Sequence, residues 1–223
     1  MGAIVPDPRP ATAGYESESE RVARMLREEI IDGRRAPGSR LVERDLAADM
    51  GVSRIPVRDA LHELVAEGLV TPRPRTWAVV RTFSETDVEE LIEVRSALEV
   101  LAFRRAAVVG IDDQLRALRR SLATEQRAAA AGDVRAARQA GADFHEAVIE
   151  MAGNALLSEL FGVTRSRMRW LLAQHSDLVP MAEEHVGLYQ ALADHDPDRA
   201  AALAQDHLVT SRRAALAQRS TPR

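Results

Sequence analysis

From Ser84 towards the carboxyl terminus, the sequence is a series of helix-forming segments separated by very short breaks. Each segment carries apolar residues at helical spacing, beginning with Val88, Leu91 and Ile92. The breaks lie at Gly110, Gly132-Asp133, Gly153-Asn154, Ser176-Asp177 and Asp196-Pro197. Because short loops join antiparallel neighbours, residues 83–219 are predicted to form an all-helical bundle of about six helices.

Residues 20–82 show a different pattern, with three helical segments followed by two strands. The first segment ends at Asp32-Gly33, the second fits Glu43–Met50, and the third begins after Ser53 and ends at Gly68. The stretches GLVT and WAVVRT are typical of strands and flank the turn PRPRT. This order is the outline of a winged helix-turn-helix. The predicted fold class is therefore mainly α, an N-terminal winged helix-turn-helix plus a C-terminal all-helical bundle.

Charge is distributed unevenly along the chain. Residues 21–82 hold 12 arginines against nine acidic residues, whereas residues 83–223 hold 17 arginines against 21 acidic residues. A mildly basic first domain and an acidic second domain predict two different kinds of partner. Residues 1–19 are rich in proline and glycine and are predicted to form a flexible leader.

Composition excludes several kinds of chemistry. The 223 residues include no cysteine, and all 30 basic residues are arginines. Disulfides, cysteine-ligated zinc and lysine Schiff bases are therefore excluded, and His, Asp and Glu remain as strong metal ligands. The sequence has no run of roughly 18 apolar residues and no signal-peptide pattern. The predicted location is the cytoplasm, with no membrane partner.

The start of the third helix carries the residues that DNA recognition requires. In a helix-turn-helix, the N-terminal residues of the second helix reach base edges in the major groove. The stretch GVSRIPVRDAL places Ser53 at the N-cap, Arg54 in the first turn and Arg58 one turn later on the same face. Each guanidinium can bind guanine O6 and N7 or hold phosphates. Pro56 is tolerated in a first turn, and Arg44 can approach DNA from the preceding helix.

The stretch LVERDLAADMGVSRIPVRDALHELVAEGLV resembles the DNA-binding domain of the GntR family of bacterial transcription regulators. The family pattern has an arginine early in the second helix and Ser-Arg-x-Pro-Val-Arg opening the third. The matching residues are Arg44, Ser53, Arg54, Pro56, Val57 and Arg58. The resemblance implies that these arginines contact double-stranded operator DNA. Arg75-Thr76-Trp77 stands where the family usually has glycine in the wing turn, which predicts a different wing tip.

Three of the six histidines lie on three separate predicted helices, at His145, His185 and His207. If those helices surround one core, three imidazoles can converge on a divalent metal ion and leave one position open. A single histidine on a helix is more often a structural residue than a metal ligand. The prediction of a metal site therefore depends on all three histidines converging. His175 and His195 fall at predicted helix ends and are expected to face solvent.

The helical region resembles the FCD ligand-binding domain of the FadR branch of the GntR regulators. The stretches EVRSALE and FHEAVIEMAGN and the two later histidines carry the resemblance. It implies a divalent metal ion, zinc or nickel, held by His145, His185 and His207. Gly141 stands where the family often has an aspartate ligand, and Asp143 points about 200° around the helix from His145. The site therefore has one carboxylate fewer than the family pattern.

Arg95 is the residue that the same resemblance implies for anchoring a carboxylate effector, because a planar guanidinium suits a carboxylate. The alternative role for Arg95 is a surface salt bridge with Glu99, four residues later. The favoured function is a ligand-responsive transcription regulator, a repressor acting as a homodimer on symmetric operator half-sites, and not an enzyme.

Two alternative functions belong to other classes of protein. The first is a metal-dependent hydrolase on the three-histidine site, with Glu146 or Glu184 as base, although no HExxH motif occurs. The second is a helical interaction module that has lost DNA binding, which the altered wing and the modest positive charge of the first domain would explain.

Overall fold

The computed structural model describes residues 16–73, 77–175 and 177–217, and this part of the chain holds nine α-helices and three short strands. In chain order they are α1 (Glu18–Ile31), β1 (Arg40–Leu41), α2 (Glu43–Met50), α3 (Arg54–Ala66), β2 (Val70–Arg73), β3 (Trp77–Val80), α4 (Glu85–Val109), α5 (Asp112–Ala130), α6 (Val134–Met151), α7 (Ala155–Leu172), α8 (Leu178–Ala193) and α9 (Pro197–Ala217). Residues 1–15 of the expected leader and residues 74–76 of the expected wing turn lie outside the described residues.

The first three helices and the sheet form the predicted winged helix-turn-helix. Helix α2 has the bounds expected from the sequence, and α3 starts directly after Ser53. The strands pair antiparallel in the order β1-β3-β2, with Val70 opposite Val80 and Arg40 opposite Val79. Strand β1 was not predicted, since two residues are too few to show an alternating pattern. Side chains without any exposed surface at the centre of this domain are Val22, Leu26, Leu41, Val57 and Leu64.

Two predicted helix starts use their serine differently. Ser84 Oγ accepts a hydrogen bond from the Asp87 amide at 3.0 Å, and the Asp87 carboxylate accepts one from the Ser84 amide at 2.7 Å. This is the predicted capping box, and its hydrogen bonds lower the pKa of Asp87 to about 2. Ser53 is the N-cap residue of α3, but its side chain makes no capping hydrogen bond. Its exposed hydroxyl is therefore not engaged by the helix that it precedes.

Helices α4 to α9 form the predicted bundle. The long central helix α4 packs against α6 and α9, while α5 packs against α6 and α8. Phe103 of α4 and Phe144 of α6 meet in the core with ring centroids 6.2 Å apart, and both side chains are almost fully buried. Among the described residues, none of the helices combines the length and the apolar character needed to cross a membrane.

The two domains are joined by side chains of α1 and α3 on one side and of α6 and α7 on the other. Glu67 at the end of α3 accepts hydrogen bonds on one oxygen from Arg27 of α1 at 2.8 Å and from Ser166 of α7 at 2.7 Å. Phe83, just before α4, stacks on Trp170 of α7 with ring centroids 4.0 Å apart. The helix predicted to contact DNA is therefore connected to the helical domain by a direct side-chain hydrogen bond.

Candidate nucleic-acid interface and metal centre

The N-terminal end of α3 presents the predicted DNA-contacting arginines to solvent. The exposed side-chain fractions are 62% for Arg54 and 52% for Arg58, and Arg44 of α2 is 82% exposed. This is the placement that a helix-turn-helix requires. Pro56 is half-buried in the first turn of α3, where its missing N–H has no helical partner to lose. Ile55, which was not predicted as a site residue, is 69% exposed between the arginines, where an apolar side chain can meet a thymine methyl group.

Glu43, the first residue of α2, binds both arginines of α3. Arg58 donates through Nε and Nη2 to its two carboxylate oxygens at 3.0 and 2.9 Å, and Arg54 donates through Nη2 at 3.2 Å. The hydrogen bond from Arg58 is the largest cause of a lowered pKa of Glu43, which keeps this carboxylate ionised. This contact could not be read directly from the sequence, because 11 and 15 residues separate the partners.

The histidine cluster, His145, His185 and His207, lies in the core of the helical domain. The residues come from α6, α8 and α9, and none is more than 2% exposed. His185 Nε2 is 3.1 Å from His145 Nε2 and 3.4 Å from His207 Nε2. One possible ligand atom from each ring lies within 4.8 Å of the others. The structure thus brings together the three residues that were predicted to converge.

Carboxylates bind the outer nitrogens of two of these rings. His185 Nδ1 donates to both oxygens of Glu125 at 2.9 and 2.8 Å, and His207 Nδ1 donates to Glu184 Oε2 at 2.7 Å. Because an ionised carboxylate only accepts hydrogen bonds, the protons of these rings lie on Nδ1. The inward-facing Nε2 atoms therefore keep their lone pairs, which is the arrangement of histidines that bind metals through Nε2.

Arg95 is fully buried beside His145. It donates through Nε to Glu99 Oε1 at 2.8 Å, through Nη1 to Ser211 Oγ at 2.6 Å and through Nη2 to His145 Nε2 at 3.2 Å. Arginine only donates, so His145 Nε2 also carries a lone pair. Burial acts to raise the pKa of Glu99, but the guanidinium of Arg95 outweighs it and lowers that pKa to about 2. The Arg95–Glu99 pair, considered above as a surface salt bridge, is a buried one.

The residues of the cluster fit a divalent metal ion. Unprotonated nitrogens that face one another at 3.1 Å repel unless a proton or a cation lies between them. Burial is the largest cause of lowered pKa values at His145 and His207, so protonation of these rings is opposed. His145 Nδ1 and Glu99 Oε2 are buried 3.1 Å apart without hydrogen-bond geometry, so this side of the cluster is incompletely paired. Three imidazole nitrogens suit zinc or nickel.

The other histidines and Asp143 differ in how they match the expectations. His175 is 3% exposed and its Nε2 lies 2.9 Å from Ser211 Oγ, so the prediction that it faces solvent is wrong. The physical reason is that α9 covers the end of α7. His195 is exposed, as predicted. Asp143 accepts a hydrogen bond from Arg169 at 2.6 Å and takes no part in the histidine cluster.

The hydrolase alternative requires a carboxylate beside the inner nitrogens of the cluster. Glu146 instead accepts a hydrogen bond from Arg169 at 2.6 Å and lies near Arg165. Glu184 binds the outer nitrogen of His207. Neither residue is placed as the general base that the alternative assumed.

An exposed recognition helix on a winged helix-turn-helix, joined to a helical domain with a buried polar centre, defines a two-domain DNA-binding transcription regulator. The chain belongs to the GntR family of bacterial regulatory proteins and carries an FCD domain. The model described as "Bacterial regulatory proteins, gntR family" matches residues 18–80, and the FCD domain model matches residues 90–210. The family consists of transcription regulators and not of enzymes.

Two proteins with similar sequences are named as transcriptional repressors. The chain is 34% identical over 175 residues, 77% of each chain, to the "Probable D-xylose utilization operon transcriptional repressor" of Paenarthrobacter nicotinovorans. It is 27% identical over 194 residues, 85% of each chain, to the HTH-type transcriptional repressor RspR of Escherichia coli strain K12.

Solved structures support the same fold over most of the chain. The structure of a GntR transcriptional regulator from Rhodococcus sp. RHA1 has a TM-score of 0.75 and 28% identity, and covers 89% of this chain and 97% of that one. E. coli McbR/YncC has a TM-score of 0.81 at 23% identity, and covers 92% and 99% of the two chains. At this low identity, the similarity to E. coli McbR/YncC supports the fold alone.

Proposed function

We propose that this protein is a repressor of the FadR branch whose affinity for operator DNA is controlled by a small carboxylate bound in the helical domain. One observation carries the proposal. Exposed guanidinium groups at the start of α3 lie in one domain, and a buried cluster of histidines and arginine lies in the other. The first arrangement suits nucleic acid and the second suits a small anion. The protein works in the cytoplasm, where the operator DNA is found.

The DNA-contacting residues have distinct roles in this proposal. Arg54 and Arg58 bind base edges in the major groove, since they lie one turn apart on the leading end of α3. Arg44 of α2 binds the phosphate backbone from the side. The free hydroxyl of Ser53 also donates to phosphate, and Pro56 fixes the first turn of α3.

In the helical domain, the histidine cluster holds a divalent metal ion, zinc or nickel, and Arg95 binds the effector. A bound metal ion supplies a positive charge and an open position for a carboxylate oxygen. Arg95 lies against His145, so its guanidinium can bind another oxygen of the same carboxylate. The effector then replaces protein contacts that Arg95 makes with Glu99 and Ser211.

Effector binding is expected to rearrange the helices, because the cavity that borders the cluster at His185 is small. The cavity beside Glu125, His175 and His185 measures about 20 Å³, which is enough for one water molecule and not for a metabolite. Arg138 lines this cavity and also the cleft between the two domains, and it donates two hydrogen bonds to the His175 carbonyl. A ligand that opens the cavity therefore acts on residues at the domain junction and selects one placement of the DNA-binding domain.

A homodimer is the assembly that this function requires, and two rows of exposed apolar side chains support it. One row follows α4 and consists of Val94, Leu101 and Val108; the other follows α7 and consists of Leu156, Leu160 and Val163. The two helices are neighbours and run antiparallel, since Val94 lies beside Thr164 and Val109 beside Gly153. An apolar face of this kind suits a twofold contact with a second copy, which matches symmetric operator half-sites.

The proposal is tested by fluorescence anisotropy with a duplex that the wild-type protein selects from a random library. Arg58→Ala is expected to weaken binding by about 10- to 100-fold, because a bidentate arginine–guanine contact is lost. Arg116→Ala removes a similarly exposed arginine from α5 and should bind like wild type. Equal affinities of the two variants would contradict the assigned role of α3.

The effector is sought in the same protein by thermal-shift measurement with small carboxylates, before and after chelation of metal. A true effector should raise the melting temperature and change operator affinity. Arg95→Ala should abolish both effects while leaving DNA binding in place. Full retention of the carboxylate response in this variant would contradict the role of Arg95.

A further inference from the structure

We infer that Glu125 of α5 is the carboxylate that completes the histidine cluster from outside, and that Gly141 of α6 is kept small to admit it. The inference rests on the metal site proposed above and adds two residues to it. In it, Glu125 does not bind the metal ion. It fixes the proton and the orientation of His185 and supplies a negative charge that the cation requires.

The position of Glu125 is the first step of the argument. Glu125 is only 3% exposed, and both of its carboxylate oxygens lie within 2.9 Å of the same nitrogen, His185 Nδ1. Burying an ionised carboxylate costs several kcal/mol unless it is paired with a donor or a cation. A single N–H donor from a neutral imidazole does not offset the cost of burying a full negative charge. A cation on the other side of the His185 ring would stabilise this carboxylate.

Gly141 is the second step. A Cβ atom at this position would lie 2.8 Å from Glu125 Oε1 and 3.6 Å from His185 Cε1. The first distance is shorter than a van der Waals contact, so any side chain at 141 would push the carboxylate away from His185. Gly141 lies four residues before His145 on α6, which places both on the same face of the helix. The space that a residue at 141 would fill is therefore occupied by Glu125, which reaches it from another helix.

Charge balance is the third step. With neutral imidazoles, the carboxylates of Glu99, Glu125 and Glu184 and the guanidinium of Arg95 give the cluster a formal charge of −2. A divalent cation neutralises that charge. Without Glu125, the cation and the buried guanidinium of Arg95 would leave an excess of positive charge in the core, and this would weaken metal binding.

The test measures the affinity and stoichiometry of zinc in the full-length protein, by competition with a chromogenic chelator. Glu125→Ala is expected to bind zinc about 10- to 100-fold more weakly than wild type. Gly141→Asp should also weaken zinc binding, because two carboxylates then compete for one space. The double variant Glu125→Ala/Gly141→Asp should recover at least about tenfold relative to Glu125→Ala, since one carboxylate again occupies that space.

Two controls separate this inference from general damage. Glu159→Gln removes an exposed charge from α7, and Gly162→Ala adds a Cβ where no atom lies within 4 Å; both should bind zinc like wild type. Glu125→Gln keeps the shape of the side chain, so its loss of zinc affinity reports the charge even if Glu125→Ala is poorly folded. Operator binding by each metal-free variant confirms that the protein is intact.

Several outcomes would overturn the inference. They are wild-type zinc affinity in both Glu125 variants, additive losses in the double variant, and no binding of zinc or nickel by the wild-type protein. In the last case, operator binding that persists and still responds to a carboxylate would leave the proposed regulatory function standing.

Discussion

At the scale of single residues, the helical domain keeps neutral rings beside buried charges, and His175 shows the consequence. Its ring is almost fully buried and shares Ser211 with Arg95. Burial first, and then the positive charge of Arg95, lower the pKa of His175 from 6.5 to about 3. The folded protein therefore holds this ring neutral at pH values where an unfolded chain would protonate it.

We predict that this difference makes stability depend on pH. Below about pH 6.5 the unfolded chain binds a proton at His175 that the folded protein does not bind until about pH 3, so stability falls as pH is lowered through this window. One such group contributes a slope of up to about 1.4 kcal/mol per pH unit. Urea unfolding of metal-free protein between pH 5 and 7.5 should show a smaller slope for His175→Gln. His62→Gln, on the exposed face of α3, is the control, and an unchanged slope in His175→Gln would contradict the prediction.

Residues whose proposed role depends on exposure are easier to propose from sequence than residues whose proposed role depends on distant neighbours. Arg54 and Arg58 follow from a motif of a few consecutive positions. Glu125 follows from contacts with another helix, which no short pattern encodes. A weak signal existed, since Glu125 continues the buried row of Leu115, Leu118 and Leu122 on α5. An acidic residue on a buried helix face requires a partner, and that requirement is visible in the sequence although the partner is not.

At the scale of secondary structure elements, the sequence predicted nearly every helix with bounds within a few residues. Helices stop where glycine adopts a left-handed conformation, as Gly51 does after α2 and Gly132 does after α5. These local devices act within one turn of chain, so they can be recognised without knowing the fold. Strand β1 was missed because its two residues exist as a strand only through pairing with β3.

We predict that the apolar rows of α4 and α7 form the dimer contact. Leu160→Glu places a charge at the centre of this face and should convert the protein to a monomer, because burying an unpaired carboxylate is unfavourable. Sedimentation velocity measures the change, and operator affinity should fall with it. Val179→Glu introduces the same charge at an exposed position on α8 and should leave the dimer intact. Dimerisation of Leu160→Glu with wild-type strength would place the contact elsewhere.

At the scale of the whole molecule, the two domains are linked by side chains that lie far apart in the sequence. Glu67 ends the recognition helix and receives hydrogen bonds from Arg27 and from Ser166 of the helical domain. Because 99 residues separate Glu67 from Ser166, sequence patterns predicted each domain but not this junction. The relative placement of the domains is a property of tertiary structure.

We predict that Ser166→Ala reduces the response to an effector more than it reduces binding of either ligand. The variant removes one hydrogen bond between α3 and α7 and leaves the arginines of α3 and the histidine cluster unchanged. Operator affinity measured with and without a carboxylate found by thermal shift should therefore differ less than in wild type, by several-fold. Ser158→Ala on the same helix is the control. A full effector response in Ser166→Ala would show that coupling runs through other contacts.

The hydrogen bonds from Arg54 and Arg58 to Glu43 affect how strongly the protein binds DNA that lacks an operator. Random duplex attracts proteins chiefly through phosphate charge. Arg54 and Arg58 share the single carboxylate of Glu43, so together they keep one net positive charge instead of two and contribute less to that attraction. To bind DNA, both arginines must give up their hydrogen bonds to Glu43. Only a site with well-placed base edges offers new hydrogen bonds that offset this loss. We therefore expect a short residence time on nonspecific DNA and a long residence time at sites where both arginines bind guanines.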